Sequence, residues 1–135
     1  MINHHAALIY AMVLTSAADK DMTDNELRII GDTVRTLPVF RDFNIEDLAT
    51  VAGACVELLE DGDDGLDKAI ELINKSLPHQ LKETAYAIAC DVAAADGTLG
   101  QEELRLLEIM RHGLKVDRLT AAAIERGTRA RFATA

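Results

Sequence analysis

Ala6-Ala-Leu-Ile-Tyr-Ala-Met-Val-Leu14 and Ala85-Tyr-Ala-Ile-Ala-Cys90, the second continuing as Val92-Ala-Ala-Ala95, are the two stretches on which the fold turns. Neither alternates apolar with polar residues, so neither reads as a half-buried strand. Both are rich in good helix formers and apolar on every side, and a helix of that kind belongs in the centre of a packed structure. The sequence therefore predicts a first helix over about 3–18 and a fifth over 79–95. Their alanines suit a central pair, because small side chains let helix axes approach closely.

The remaining helices follow outward from these two. Asp19-Lys-Asp-Met-Thr23 interrupts the first apolar run. A second helix is expected after Thr23, with Leu27, Ile30, Val34 and Leu37 on its buried face. Pro38 ends it, since the residue before a proline disfavours helical backbone. Asn44 is expected to cap a third helix reaching about Glu60, with Glu46 and Asp47 in its positively polarised first turn. Asp61-Gly-Asp-Asp-Gly65 breaks the chain before a fourth, amphipathic helix over 66–77. A sixth begins near Gln101, turns Leu104, Leu107 and Met110 to the core, and is capped by Gly113. A last helix over 118–128 leads into a basic tail, with Arg126, Arg129 and Arg131, that is expected to fray. The expectation is an all-α bundle of about seven helices forming one domain over 1–135.

Displacing the sequence by 77 positions lays one segment on another without a gap. Ala17-Ala18-Asp19 falls on Ala94-Ala95-Asp96, and Glu26-Leu27-Arg28 on Glu103-Leu104-Arg105. The units, about 3–40 and 80–117, each hold an Ala-rich helix, a short turn and an amphipathic helix. One long repeat is not a solenoid array; it suggests a duplication with pseudo-two-fold packing.

The 135 residues carry 14 Lys and Arg against 23 Asp and Glu, a formal net charge of −9. Nucleic acid needs a basic footprint and an anionic membrane repels such a chain, so neither is an expected partner. Divalent cations and basic proteins are compatible with it. With 49% hydrophobic residues the chain can offset its ordering entropy and fold. Cys55 and Cys90 sit apart in apolar stretches and read as buried, reduced thiols. The N-terminal Met-Ile-Asn-His-His lacks the basic start of a signal peptide, and the apolar run over 6–14 is too short to span a bilayer. A cytoplasmic location is expected.

The chemistry-bearing pattern is the repeated Ala-Ala-Asp-x6-Glu-Leu-Arg. Asp19, Asp21, Asp24 and Glu26 cluster in the first unit, and Asp96, Glu102 and Glu103 in the second. An acidic turn followed by a Glu in the next helix can aim several oxygens into a small volume, as a hard cation requires. It is not an EF-hand: counting from Asp19 or Asp96 puts Ile30 or Leu107 where that loop needs its last glutamate. The plain alternative is that Thr23 and Glu26 form a capping box and that acidic residues merely suit helix starts. Two points weigh against it. Capping leaves Asp19 and Asp96 unexplained, and Gly100 stands where Thr23 stands, so the second cap is expected to be lost although Glu103 stays.

The loop over 61–65 lacks a distant Glu and reads as solvated linker. His4 and His5 point apart on a helix and chelate poorly together. His79 with Glu83 and Glu108 with His112 are spaced for surface contacts. No phosphate loop, nucleophile elbow or zinc-protease motif occurs, and Glu-x-x-His pairs for a di-iron bundle are lacking. A non-enzymatic role is therefore expected.

Ala17-Ala-Asp19…Glu26-Leu27 and Ala93-Ala-Ala-Asp-Gly97…Glu103-Leu104 resemble the TerB-like family of bacterial tellurite-resistance proteins, over about Leu8 to Leu114. The resemblance implies an all-helical bundle and a cytoplasmic protein of tellurite and other stress responses. It implies action through partner proteins at the inner face of the membrane. It also implies a divalent metal, calcium above all, held by Asp19 and Glu26 and by Asp96 and Glu103. Lys20 departs from the family's usual Gly, which makes the first half-site the less regular one. Reduction of tellurite by this chain lacks support, since no cofactor motif or vicinal thiol pair is present. An acidic adaptor without metal, docking basic partners through the acidic run over 57–67, is the competing expectation.

Overall fold

The structure is a computed structural model that describes residues 1–17, 23–95, 97 and 100–135. Among these residues there are seven α-helices and no strand: α1 His4–Ser16, α2 Asp24–Thr36, α3 Leu48–Leu59, α4 Gly65–Ser76, α5 His79–Ala93, α6 Gln101–Gly113 and α7 Arg118–Arg131. Two single 3-10 turns, Pro38–Phe40 and Ile45–Asp47, lie between α2 and α3.

α1 is the hub. Asn3 caps it, its Oδ1 accepting from the Ala6 amide at 2.8 Å. Every residue from Ala7 to Ser16 is buried. α1 packs most extensively on α5, and also on α3 and α4, while α5 carries α7 on another side. Leu8, Ile9, Met12 and Leu14 are each within 2% of complete burial, and a side chain buried like that contributes about 1.5–3 kcal/mol. The all-round apolar pattern thus identifies the centre correctly.

The bounds of α2 displaced by 77 positions are those of α6, and the end of α1 falls on the end of α5. Pro38 acts as expected: α2 stops at Thr36 and Leu37 is extended, with ψ 136°.

Four details differ from the sequence reading. Leu27 and Leu104 are 50% and 45% exposed rather than core-facing. Their neighbours Glu26 and Glu103 take the inward positions instead. Glu26, Ile30 and Val34, and likewise Glu103, Leu107 and Met110, form the buried stripes, so the next residue round the helix faces out. Asn44 caps the 3-10 turn before α3, not α3 itself, its Oδ1 accepting from the Glu46 amide at 3.0 Å. Gly113 is not the cap of α6. Leu114 is, and Lys115 takes the left-handed backbone with φ 58°. Gly113 is instead where α6 meets α4: a Cβ there would lie 2.3 Å from Ile70 Cγ2. Finally, the basic tail is helical to Arg131. Thr128 is buried and donates its hydroxyl to Asp91 Oδ1 at 3.1 Å, and the Arg131 guanidinium reaches the same carboxylate.

The candidate metal-binding junctions

Of the residues singled out in the sequence, Asp24 and Glu26 lie in the first turn of α2 and Glu102 and Glu103 in that of α6. Thr23 caps α2: its Oγ1 accepts from the Glu26 amide at 3.1 Å. Glu26 Oε1 in return accepts from the Thr23 amide at 2.9 Å and from the Thr23 hydroxyl at 3.3 Å. The capping box is therefore complete. Gly100 offers no hydroxyl, yet its amide donates to Glu103 Oε1 at 3.2 Å. The second cap, expected to be lost, survives in its glutamate half. Retention of Glu103 thus has a structural cause and does not by itself point to function.

Burial separates these residues. Glu26 is 1% exposed and Glu103 8%, whereas Asp24 and Glu102 beside them are exposed. A charged carboxylate so deeply placed has to be met by hydrogen bonds and opposite charge. The positive ends of α2 and α6, where both sit in the first turn, supply part of it. Asp19, Asp21 and Asp96 lie outside the described residues, as does Lys20. Among the described residues no three His, Cys, Asp or Glu side chains group as metal ligands. Each junction has one buried glutamate in place, its Oε1 accepting from a backbone amide.

The end of α1 and the start of α6 meet at one end of the bundle. A cleft of 590 Å³ is lined by Leu14 and Ala17 from the end of α1 and by Glu102 and Leu106 from the start of α6. Its other walls, from α3 and α4, are mainly apolar, with Glu60 at the edge.

The other candidates resolve plainly. Cys55 and Cys90 are free and buried, and burial pushes both thiols up to about 12. His5 is a packing residue: its Nε2 lies 2.9 Å from the Val39 carbonyl and 3.2 Å from Asp42 Oδ1, and its ring stacks on Phe40. Among the described residues this is the one close histidine–carboxylate contact, so the spacings of His79 with Glu83 and Glu108 with His112 do not close. Asp61, Asp63 and Asp64 are exposed, in keeping with a solvated linker.

Sequence reasoning missed two polar links between α5 and α7. The Tyr86 hydroxyl donates to Glu125 Oε2 at 2.6 Å, and Asp91 receives Thr128 and Arg131. Burial, then the bond to Glu125, raises the Tyr86 hydroxyl well above the ordinary tyrosine range. Partners nearly forty positions apart leave no spacing pattern to read.

Among the described residues no helix is long and apolar enough to cross a membrane. Among curated proteins and among solved structures nothing matches the chain. A family model described as tellurite resistance protein TerB matches residues 5–126, nearly the whole helical bundle from α1 into α7, and the chain belongs to that family.

Proposed function

We propose that this tellurite-resistance-related helical module is non-enzymatic, binds a divalent cation, calcium foremost, at its two junctions, and acts through partner proteins. Asp19, Asp21, Asp24 and Glu26 would serve one half-site and Asp96, Glu102 and Glu103 the other. The observation that carries the reading is the pair of buried glutamates at one register of α2 and α6, each beside an acid-rich junction. Calcium takes six to eight oxygens, from carboxylates, turn carbonyls and water, and acid-rich turns supply the first two kinds. When bound, the cation would supply positive charge where the fold gathers negative charge. The partners are other proteins, in a cytoplasmic stress complex at the membrane face; the net charge of −9 disfavours nucleic acid.

Calorimetric titration with Ca²⁺, Mg²⁺ and Zn²⁺ tests this. Binding heat with Ca²⁺, abolished in Asp96→Asn combined with Glu103→Gln, is the expected result. Absence of heat at millimolar ion, or heat that the double variant leaves unchanged, refutes it. The metal-free acidic adaptor is favoured by one observation, that Glu26 and Glu103 both cap their own helices. It predicts no heat, and basic partners whose capture falls as salt screens exposed charges.

A further inference from the structure

We propose that the cavity between α5, α6 and α7 is a binding site for a small organic anion with an apolar body, such as an aryl or medium-chain carboxylate. The cavity measures 690 Å³, within the roughly 300–1,000 Å³ of small-molecule sites. Its floor is apolar: Cys90 and Leu107 are buried there, and Leu104 and Phe132 form its walls. Leu104 is 45% exposed and leaves apolar surface open on the cavity side.

The polar groups of the cavity decide the ligand's charge. Arg111 and Arg129 both line it. Neither guanidinium is in an ion pair among the described residues; Arg111 reaches only the neighbouring His112 ring, at 3.0 Å. Two carboxylates are present as well. Glu125 is engaged by the Tyr86 hydroxyl at 2.6 Å, and Glu108 is exposed on α6 without closing on Arg111 three residues on. The wider field favours the arginines. Residues 101–135 hold seven Lys and Arg against five Asp and Glu, whereas 1–100 hold seven against eighteen. The segment that supplies α6 and α7 thus carries a slight net positive charge in an otherwise acidic chain. A guanidinium fork matches a carboxylate or sulfonate in two parallel hydrogen bonds, while the leucines and Phe132 receive the body. Gly97 of the second junction also lines the cavity, yet the two sites take ligands of opposite sign and are read by different probes.

The test is fluorescence titration of the folded protein with 1-anilinonaphthalene-8-sulfonate, an apolar body bearing one anionic group. Saturable enhancement at one site is expected. Leu104→Asp and Arg129→Glu alter exposed residues, so both should fold, checked by cooperative unfolding, and each should weaken the dye at least fivefold. Arg118→Glu, an exposed charge outside the cavity, controls for net charge and should change affinity less than half as much as Arg129→Glu. Decanoate should displace the dye, and decyltrimethylammonium at least fivefold more weakly. No saturable enhancement, a smaller loss in either cavity variant, an equal loss in the control, or competition by the cation within fivefold of decanoate overturns the assignment.

Discussion

Gly113→Ala tests the packing of α6 against α4 with a sign as well as a size. Gly113 is the last residue of α6, where the change ordinarily helps by up to about 1 kcal/mol of propensity, the interior value. Here the new Cβ would lie 2.3 Å from Ile70 Cγ2, against the 3.5–4.0 Å at which carbon atoms rest. Ile70 is 6% exposed and its branched Cβ is stiff at χ1, so the methyl cannot swing aside freely. Overpacking costs about 1–3 kcal/mol, and with so short a contact the upper half applies. The net expectation is a loss of about 1–2 kcal/mol in urea unfolding followed by circular dichroism. Gly53→Ala on α3 is the control, since its Cβ would meet nothing within 4 Å; it should gain about 0.5–1 kcal/mol. In an Ile70→Ala background the obstructing methyl is gone, and Gly113→Ala should turn neutral or stabilising. That is a coupling of about 2 kcal/mol between the two sites. If Gly113→Ala stabilises as Gly53→Ala does, or costs the same with and without Ile70, the close approach of α6 and α4 is wrong.

Other consequences can be checked on the same protein. Thr23→Ala removes the hydroxyl half of the first cap and should cost about 1 kcal/mol, while Gly100→Ser, which supplies that half at α6, should gain only a few tenths. Asp91→Ala removes the acceptor of both Thr128 and Arg131. It should cost about 1–3 kcal/mol, and hydrogen exchange should show the last turn of α7 opening while α1 stays protected. The buried thiols should ignore Ellman's reagent in the native protein near neutral pH and react together on unfolding; a stoichiometric native reaction would contradict their burial. Because both folded thiols ionise at about 12 against an ordinary value of 9.0, their contribution is intact below pH 9 and is lost as pH rises toward 12. The loss is about 1.4 kcal/mol per thiol per pH unit; Cys55→Ala with Cys90→Ala should flatten it between about pH 9 and 10, above which the raised hydroxyls of Tyr10 and Tyr86 keep part of the slope.

The fold was readable because its decisive signals are local. An unbroken apolar run such as Ala6 to Leu14 has only one economical place, the interior, and Pro38 and Pro78 mark helix ends through their own ring geometry. The errors arise where a tertiary contact overrides a local rule. Gly113 carries the signature of a cap, yet its missing Cβ serves the approach of Ile70. Arg131 resembles the end of a fraying tail until Asp91, forty positions earlier, is brought beside it. Leu27 and Leu104 fit an apolar stripe, but no periodicity argument places a glutamate inside in their stead.

That exchange bears on the site itself. In sequence, a glutamate that caps a helix and a glutamate that holds a cation are the same letter at the same spacing. Capping needs only an oxygen near the cap amide, which an exposed glutamate provides from the surface. Glu26 at 1% exposure and Glu103 at 8% go further than capping demands, and burying a carboxylate costs free energy that the cap does not require. The two roles separate in Glu26→Gln and Glu103→Gln, because glutamine keeps a carbonyl oxygen for the Thr23 or Gly100 amide but gives up the charge. A cation that binds only the folded state raises stability by about 2.7 kcal/mol at a hundred times its dissociation constant. With the glutamates as ligands, Ca²⁺ should raise the melting temperature of the parent over that in chelator, and the double variant should lose the rise while keeping a helical, cooperative fold. If the double variant shows the full Ca²⁺ effect, neither glutamate is a ligand, and any cation is held by other carboxylates of the junctions.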